Sequence, residues 1–415
     1  MSFLPLNPNW AETGTYWFEL WDKTPRDELF GSLVAPKIGT ELTDDAAMFL
    51  ALAVSLRGVG NVSPNPLVGA VILDRNQRFL AAGFHQKLGL AHAEVHAMSQ
   101  LEPSTDLTGG SIFVTLEPCA HDGKTPSCAK RIAASKLSKI IYGATDPNPL
   151  VNGEGVNILL AANKNVKMAS RWQTRCEWIL RVFLKNQRQK EIYIGLKVAS
   201  TPSGIIAGDG TSRLWITGER ARQMGHFLRL EYDAIAVGIN TVLLDDPTLN
   251  VRHPALEGRT PTRLVLDPAG VLLTESRSFK MLLESPDKTI VVLPEGVDDR
   301  NFLKKFGVRT MKIPVFPADS AHSSAYFDWN DIKRTLGSMG IMSLLIEGGA
   351  GVYRSALAAQ VVDGWHWFVG AEMDVVNALR WEVPQKLLRL WSKKEPFAAN
   401  SCGGLQLGDD RLIEE

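Results

Sequence analysis

Cysteine is scarce in this chain: there are four in 415 residues, Cys119, Cys128, Cys176 and Cys402. So low a count excludes a disulfide framework and fits a compartment that keeps thiols reduced. Long apolar runs are missing too. The longest, such as "AAMFLALAV", fall far short of the roughly 20 residues that cross a bilayer. The N-terminal "MSFLPLNPNWAETGTYWFELWDKTPRDELF" lacks the basic start and apolar centre of a secretory signal and is too acidic for a transit peptide, so a cytoplasmic protein is expected. Neither sign of charge dominates, since Lys plus Arg and Asp plus Glu each total 45. That balance leaves no broad basic face for nucleic acid or an anionic membrane. Fixed-period repeats, low-complexity tracts and a G-x-G-x-x-G turn after a strand are all absent, so solenoid and Rossmann readings have no support.

What is present is an average soluble composition in a chain long enough for two or three domains. "TDDAAMFLALAVSLRG" combines an acidic cap region with helical apolar spacing. Strands "LVGAVILD" and "FLAAGFH" follow, then helix "AHAEVHAMSQL", strand "SIFVTLE", helix "CAKRIAAS" and strand "KIIYGAT". "VNGEGVNILLAA" and "RCEWILRVFLKNQRQK" add helices before strand "IYIGLKVAS". The second half alternates again, with strands "AIAVGI", "TRLVLD", "TIVVLP" and "SLLIEGG" and helices "GERARQMGHFLRLE" and "VYRSALAAQV". Such alternation predicts α/β architecture twice. The expected division is an unassigned segment over residues 1–40, a first domain over 41–189 and a second over 190–415.

The chemistry-bearing pattern lies in the first half. His92 and Glu94 form "HAE" at a predicted helix start, and "LEPCAHDGKTPSC" places Cys119 after a strand and Cys128 at a second helix start. One imidazole and two thiolates suit Zn²⁺, and three protein ligands leave a fourth position open, as catalytic zinc sites require. A structural zinc site, which wants four protein ligands, is the weaker alternative. Glu94, two residues from a metal ligand, is placed to move a proton between water and a departing amine, the role known for the Glu of H-x-E plus P-C-x-x-C deaminases. Here eight residues, rather than two, separate the cysteines. His96, one turn after His92, reads as a helix-packing residue, while Cys176 and Cys402 read as filler.

Together "SPNPLVGAVI", "GFHQKLGLAHAEVHAM", "VTLEPCAHDGKTPSCAKRI" and "ATDPNPLVNGEGV" resemble the deaminase half of the bifunctional riboflavin-biosynthesis deaminase/reductase family. "VGINTVLLDDPTLNVR", "LWITGERAR" and "IEGGAGVYRSAL" resemble its reductase half, and coverage runs from about residue 43 to about residue 365. The resemblance implies a cytidine-deaminase-like α/β/α sandwich followed by a dihydrofolate-reductase-like α/β domain. It implies zinc-dependent deamination of a phosphoribosylated diaminopyrimidinone, then NADPH reduction of the ribosyl group to ribityl, with the phosphorylated pyrimidine as the partner and a homo-oligomer as the assembly. His92, Cys119 and Cys128 match the zinc ligands and Glu94 the proton carrier. Asn65, His85, His121, Lys124 and Asp146 match positions around the pyrimidine and its phosphate. In the reductase half Lys197, Asp245 and Glu347 match polar positions at the reacting sugar. Arg229, Leu249 and Arg252 match substrate positions. Ala199, Trp215, Thr241, Asp245, Gly348 and Gly349 match NADPH positions.

Two departures stand out in the second half. Where the family reads A-x-S-L-D-G after the strand lysine, this chain reads "ASTPSG", so Pro202 and Ser203 replace a Leu and an Asp. Arg213 stands where a small hydroxyl is usual. The alternative they raise is a deaminase with a degenerate reductase domain. Two further rivals are a deaminase of free nucleosides or tRNA and a zinc-stabilised binding protein. The C-terminal "WFVGAEMDVVNALRWEVPQKLLRLW" also diverges, and the N-terminal stretch with Trp10, Trp17 and Trp21 reads as an added docking segment.

Overall fold

A computed structural model describes residues 36–122, 127–148, 153–207, 215–252, 260–318, 325–373, 379–380, 404–407 and 410–414. Trp10, Trp17, Trp21, Lys124, Arg213, Cys402 and most of the divergent C-terminal stretch lie outside them. The chain forms two compact units, one ending at Lys190 and the other taking up at Glu191.

In the first unit, Thr43 caps helix α1 (Asp44–Ser55) by accepting the Ala46 N–H on its side chain. Strands β1 (Gly69–Leu73) and β2 (Phe79–Phe84) pair antiparallel, and β1 also pairs antiparallel with β3 (Ser111–Leu116). β4 (Lys139–Ala144) and β5 (Asn165–Met168) extend the sheet in parallel, giving the order β2-β1-β3-β4-β5. Helices α2 (Ala93–Ser99), α3 (Cys128–Ala134) and α4 (Glu154–Ala161) follow β2, β3 and β4. The run from Arg175 to Lys190, expected as one helix, is divided into α5 (Gln173–Ile179) and α6 (Arg181–Gln189) at Leu180, whose φ of −88° and ψ of 0° leave the helical region.

Glycine sets how closely the layers approach. A Cβ on Gly69 would lie 1.9 Å from Ala51 O of α1, and one on Gly83 would lie 2.2 Å from Ala97 N of α2. Gly83 pairs with Ala70, so it shares a face with Ala70 and not with Gly69. Helices α1 and α2 therefore cover opposite faces of the sheet, which makes a three-layer sandwich. Because α2 carries Glu94 and is capped by His92, Gly83→Ala bears on the site, and it is expected to destabilise the first unit by about 1–3 kcal/mol. Urea unfolding checks this, and an unchanged midpoint would contradict the close approach.

The second unit is built on a nine-stranded sheet among the described residues. Its elements include β6 (Tyr193–Ser200), α7 (Glu219–Glu231), β7 (Ala234–Gly238), α8 (Ile239–Asp245), β8 (Thr262–Leu266), β9 (Thr289–Pro294), β10 (Arg309–Ile313), α9 (Trp329–Ser338), β11 (Ser343–Gly348), α10 (Ala350–Ala358), β12 (Gly364–Val369), β13 (Gly404–Leu407) and β14 (Asp410–Glu414). The order is β10-β9-β8-β7-β11-β6-β12-β14-β13, parallel from β10 to β12 and antiparallel through the last two. Alternate residues of β7 serve two cores: Ala234 and Ala236 pack on one face, Ile235 and Val237 on the other. That is how a parallel strand buried on both sides comes to read as a continuous apolar run.

Candidate active site

Strands β2, β3 and β4 of the first unit run in one direction, with β1 opposed. Their carboxyl ends and the amino end of β1 therefore share one edge of the sheet, where open α/β sheets place their ligands. To this edge the chain delivers Asn65 before β1, His85 and His92 after β2, Glu117 and Cys119 after β3, and Asp146 after β4.

His92 is the N-cap of α2 in extended conformation, with φ −68° and ψ 163°, and it makes no capping bond with its side chain. Its Nδ1 lies 3.6 Å from Cys119 Sγ and 3.5 Å from Cys128 Sγ. All three donor atoms fall within 4.8 Å of one another. A tetrahedral ion with Zn–S near 2.3 Å and Zn–N near 2.0 Å requires an N···S separation of about 3.6 Å, so the donor set fits zinc in both chemistry and spacing. The Cys128 N–H donates to Cys119 Sγ at 3.3 Å. The Cys119 thiol is held well below the usual thiol range by hydrogen bonding from Cys128 and then from His92. The ends of the intervening loop are tied together by Asp122, which accepts the Ser127 N–H at 2.9 Å and pairs with Lys130.

Glu94 sits in the first turn of α2, 4% exposed, and burial pushes its carboxyl upward. His96 belongs to the packing: its ring contacts the Phe84 backbone at 3.0–3.1 Å through Nδ1 and stands outside the metal-ligand group. His85 is fixed from both sides, Nδ1 against Ala91 O at 3.0 Å and Nε2 against Asn65 Nδ2 at 3.0 Å. Burial lowers its pKa, and the Ala91 carbonyl at Nδ1 with the Asn65 amide nitrogen at Nε2 suits the tautomer that donates through Nδ1 and accepts through Nε2. Asp146 is buried and accepts the Asn148 N–H at 2.9 Å, while His121 is exposed nearby. Cys176 is fully buried against Gly143.

One functional residue escapes sequence reasoning. Glu117 is 3% exposed, and its carboxylate accepts the N–H groups of Asp146, Gly153 and Val156 at 3.3–3.4 Å. It thus ties the segment bearing Cys119 to the one bearing Asp146. Glu117→Ala is expected to cost about 1–3 kcal/mol of stability and to raise KM for deamination severalfold. An unchanged KM would confine Glu117 to folding.

In the second unit a cavity of about 960 Å³ opens at the carboxyl ends of the parallel strands. Lys197, Ala199, Trp215, Arg229, Thr241, Asp245, Arg252, Glu347, Gly348 and Gly349 all line it. Leu249 lines instead a smaller cavity of about 260 Å³ whose walls share Arg229, Asp245 and Arg252. Gly349, with φ 96°, is the N-cap of α10, a backbone conformation open chiefly to glycine. A Cβ on Gly348 would come 3.1 Å from Thr241 Oγ1. Bare backbone at a helix start, on the wall of a cavity this size, fits a phosphorylated dinucleotide.

Arg229 is less available than its sequence position suggests. Its Nε and Nη2 grip Glu347 at 2.6 and 2.8 Å, and its Nη1 donates to Asn250 O at 3.0 Å. Burial pushes the Glu347 carboxyl up, but Arg229 and Lys197 outweigh it and keep the group ionised. His226, also on the cavity wall, accepts the Arg252 N–H on Nδ1 at 3.2 Å. Burial and the two arginines lower its pKa to about 4. The "STPSG" departure falls elsewhere: Ser203 is exposed, bonds to Glu372 and Arg380, and is not among the residues lining the cavity.

Residues 42–144 match the family model of the cytidine and deoxycytidylate deaminase zinc-binding region, and residues 192–371 match that of the RibD C-terminal domain. The chain is thus an enzyme joining a zinc-dependent deaminase domain to a reductase domain. It is 35% identical over 333 residues to riboflavin biosynthesis protein RibD of Actinobacillus pleuropneumoniae, covering 80% of this chain and 85% of that one. With the protein of the same name from Aquifex aeolicus it shares 34% identity over 306 residues, 74% of this chain and 81% of that one. The chain belongs to the RibD family. Its fold is similar to the solved structures of Acinetobacter baumannii RibD, with TM-score 0.68, and of the Thermotoga maritima diaminohydroxyphosphoribosylaminopyrimidine deaminase/5-amino-6-(5-phosphoribosylamino)uracil reductase, with TM-score 0.70. Both are 30% identical, covering 89% of this chain and 97% of theirs. No helix among the described residues is long and apolar enough to cross a membrane.

Proposed function

We propose that this chain catalyses two consecutive steps of riboflavin biosynthesis: hydrolytic deamination of 2,5-diamino-6-(5-phosphoribosylamino)pyrimidin-4-one, then NADPH-dependent reduction of its ribosyl side chain to ribityl. The observation that carries the reading is the convergence of His92 Nδ1 with two cysteine sulfurs at 3.5–3.6 Å, in the unit that also buries Glu94.

His92, Cys119 and Cys128 would hold zinc, which when bound supplies Lewis acidity that lets water act as a nucleophile near neutral pH. Glu94 takes the proton from that water and hands it to the amine. The carbon gains the water oxygen, its bond to nitrogen breaks, and ammonia leaves. Asn65 is oriented by His85, so its Oδ1 can accept from a ring amine, and Asp146 holds the ring's far side. Lys124 would offer a cation to the phosphate, with His121 beside it in sequence.

In the second unit, Ala199, Trp215, Thr241, Gly348 and Gly349, which line the cavity, would hold NADPH, which when bound would supply a hydride. The sugar C1′ gains that hydride, its bond to the ring oxygen breaks, and the ring oxygen takes a proton. Lys197, electrostatically coupled to Glu347 and lying over the Phe368 ring at 5.5 Å, is the proton source we favour over Asp245. Arg252 and Leu249 bind the substrate end, with Arg229 holding Glu347. A cytoplasmic homo-oligomer without nucleic-acid or membrane partners completes the reading, in keeping with the balanced charge.

The test supplies purified full chain with the diaminopyrimidinone phosphate and NADPH. One ammonia released per NADPH oxidised is expected. Ammonia without NADPH oxidation would favour the deaminase-only alternative, and turnover of cytidine or adenosine but not of the phosphorylated substrate would overturn the substrate assignment.

A further inference from the structure

The parallel ladder between β6 and β11 ends at the pair Leu196 and Ile346. On its other side β11 is irregular, with pairing to β7 passing from Ile346 to Gly348. Lys197 and Glu347 are therefore the first residues past the point where the two strands part, and both line the large cavity. Parting strands leave carbonyls without ladder N–H groups, and buried carbonyls require donors. Tyr353 of α10, 7% exposed, supplies one: its hydroxyl donates to Glu347 O at 2.8 Å and lies 3.1 Å from Lys197 O.

We infer that Tyr353 is a positioning residue for the reduction step, its hydroxyl fixing the separation of β6 and β11 where they diverge, and with it the spacing of the Lys197 ammonium and the Glu347 carboxylate. The inference rests on the reductase reading above and deepens it. Helix α10 is a firm mount for this contact, because Val352 Cγ2 would lie only 2.9 Å from a Cβ on Gly238. Arg229 fixes the Glu347 carboxylate while Tyr353 fixes its carbonyl, so the residue is held at both ends. Burial pushes the phenol well above its ordinary pKa, which keeps on it the proton it donates to the Glu347 carbonyl, with the Lys197 carbonyl 3.1 Å away.

The test is Tyr353→Phe in the full chain, supplied with already deaminated substrate and NADPH. Reduction kcat is expected to fall by about 10- to 100-fold, with substrate KM and NADPH affinity within about threefold and deamination unchanged. In a Lys197→Met background the same change adds no further loss, since the hydroxyl acts through that lysine. Tyr353→4-aminophenylalanine, which returns an N–H donor to the same place, recovers kcat. Wild-type kcat in Tyr353→Phe, a loss confined to thermal stability, or a full additional loss on top of Lys197→Met would each overturn the inference. Wild-type chain that deaminates without oxidising NADPH would instead remove the reductase reading, and the inference with it.

Discussion

Glu94→Gln is expected to lower the deamination rate by about a thousandfold while the full chain keeps its zinc and its reductase activity. The magnitude is that of a positioned general acid–base, about 10²–10⁴. Gln preserves the volume that packs into a site only 4% exposed, and it leaves His92, Cys119 and Cys128 untouched. What it loses is a carboxylate that can accept a proton and release it. Zinc content measured beside ammonia release checks the result. Unchanged turnover would remove Glu94 from proton transfer, and loss of zinc would make it a structural residue.

The second large effect falls on the other unit. Lys197→Met is expected to lower reduction by at least about a hundredfold and to leave ammonia release at the wild-type rate. Methionine keeps an unbranched apolar stem of similar length, and what it removes is the ammonium that lies 5.5 Å from the Phe368 ring centroid. The ammonium next to Glu347 is lost, while the Arg229–Glu347 pair at 2.6 Å stays satisfied, so no buried carboxylate is stranded. Stopped-flow absorbance of NADPH with already deaminated substrate checks this. Retained reduction would shift the proton source to Asp245.

The two predictions differ in how far the sequence alone could reach. His92, Glu94, Cys119 and Cys128 were legible because thiolates, imidazole and carboxylate carry their chemistry in their identity, and their positions at element ends mark where they converge. Glu117 was not, because an acid between Leu116 and Pro118 looks like an ordinary strand end. Its value comes from three N–H groups 29 to 39 residues later in the chain. Tyr353 was hidden for the same reason, its partner at Lys197 lying 156 residues earlier. Among the elements, the long apolar strands stood out, but helix Trp329–Ser338 did not, although Asp328 caps it and Gly340 follows it. Strand Asn165–Met168 has a mostly exposed pattern with no alternation to mark it.

X-ray absorption at the zinc K-edge of the purified full chain is the most direct measurement. One zinc per chain is expected, with two sulfurs at about 2.3 Å and two lighter atoms near 2.0 Å, one from imidazole and one from solvent. A third sulfur, a second imidazole or a chain that binds no zinc would contradict an open three-ligand centre beside Glu94.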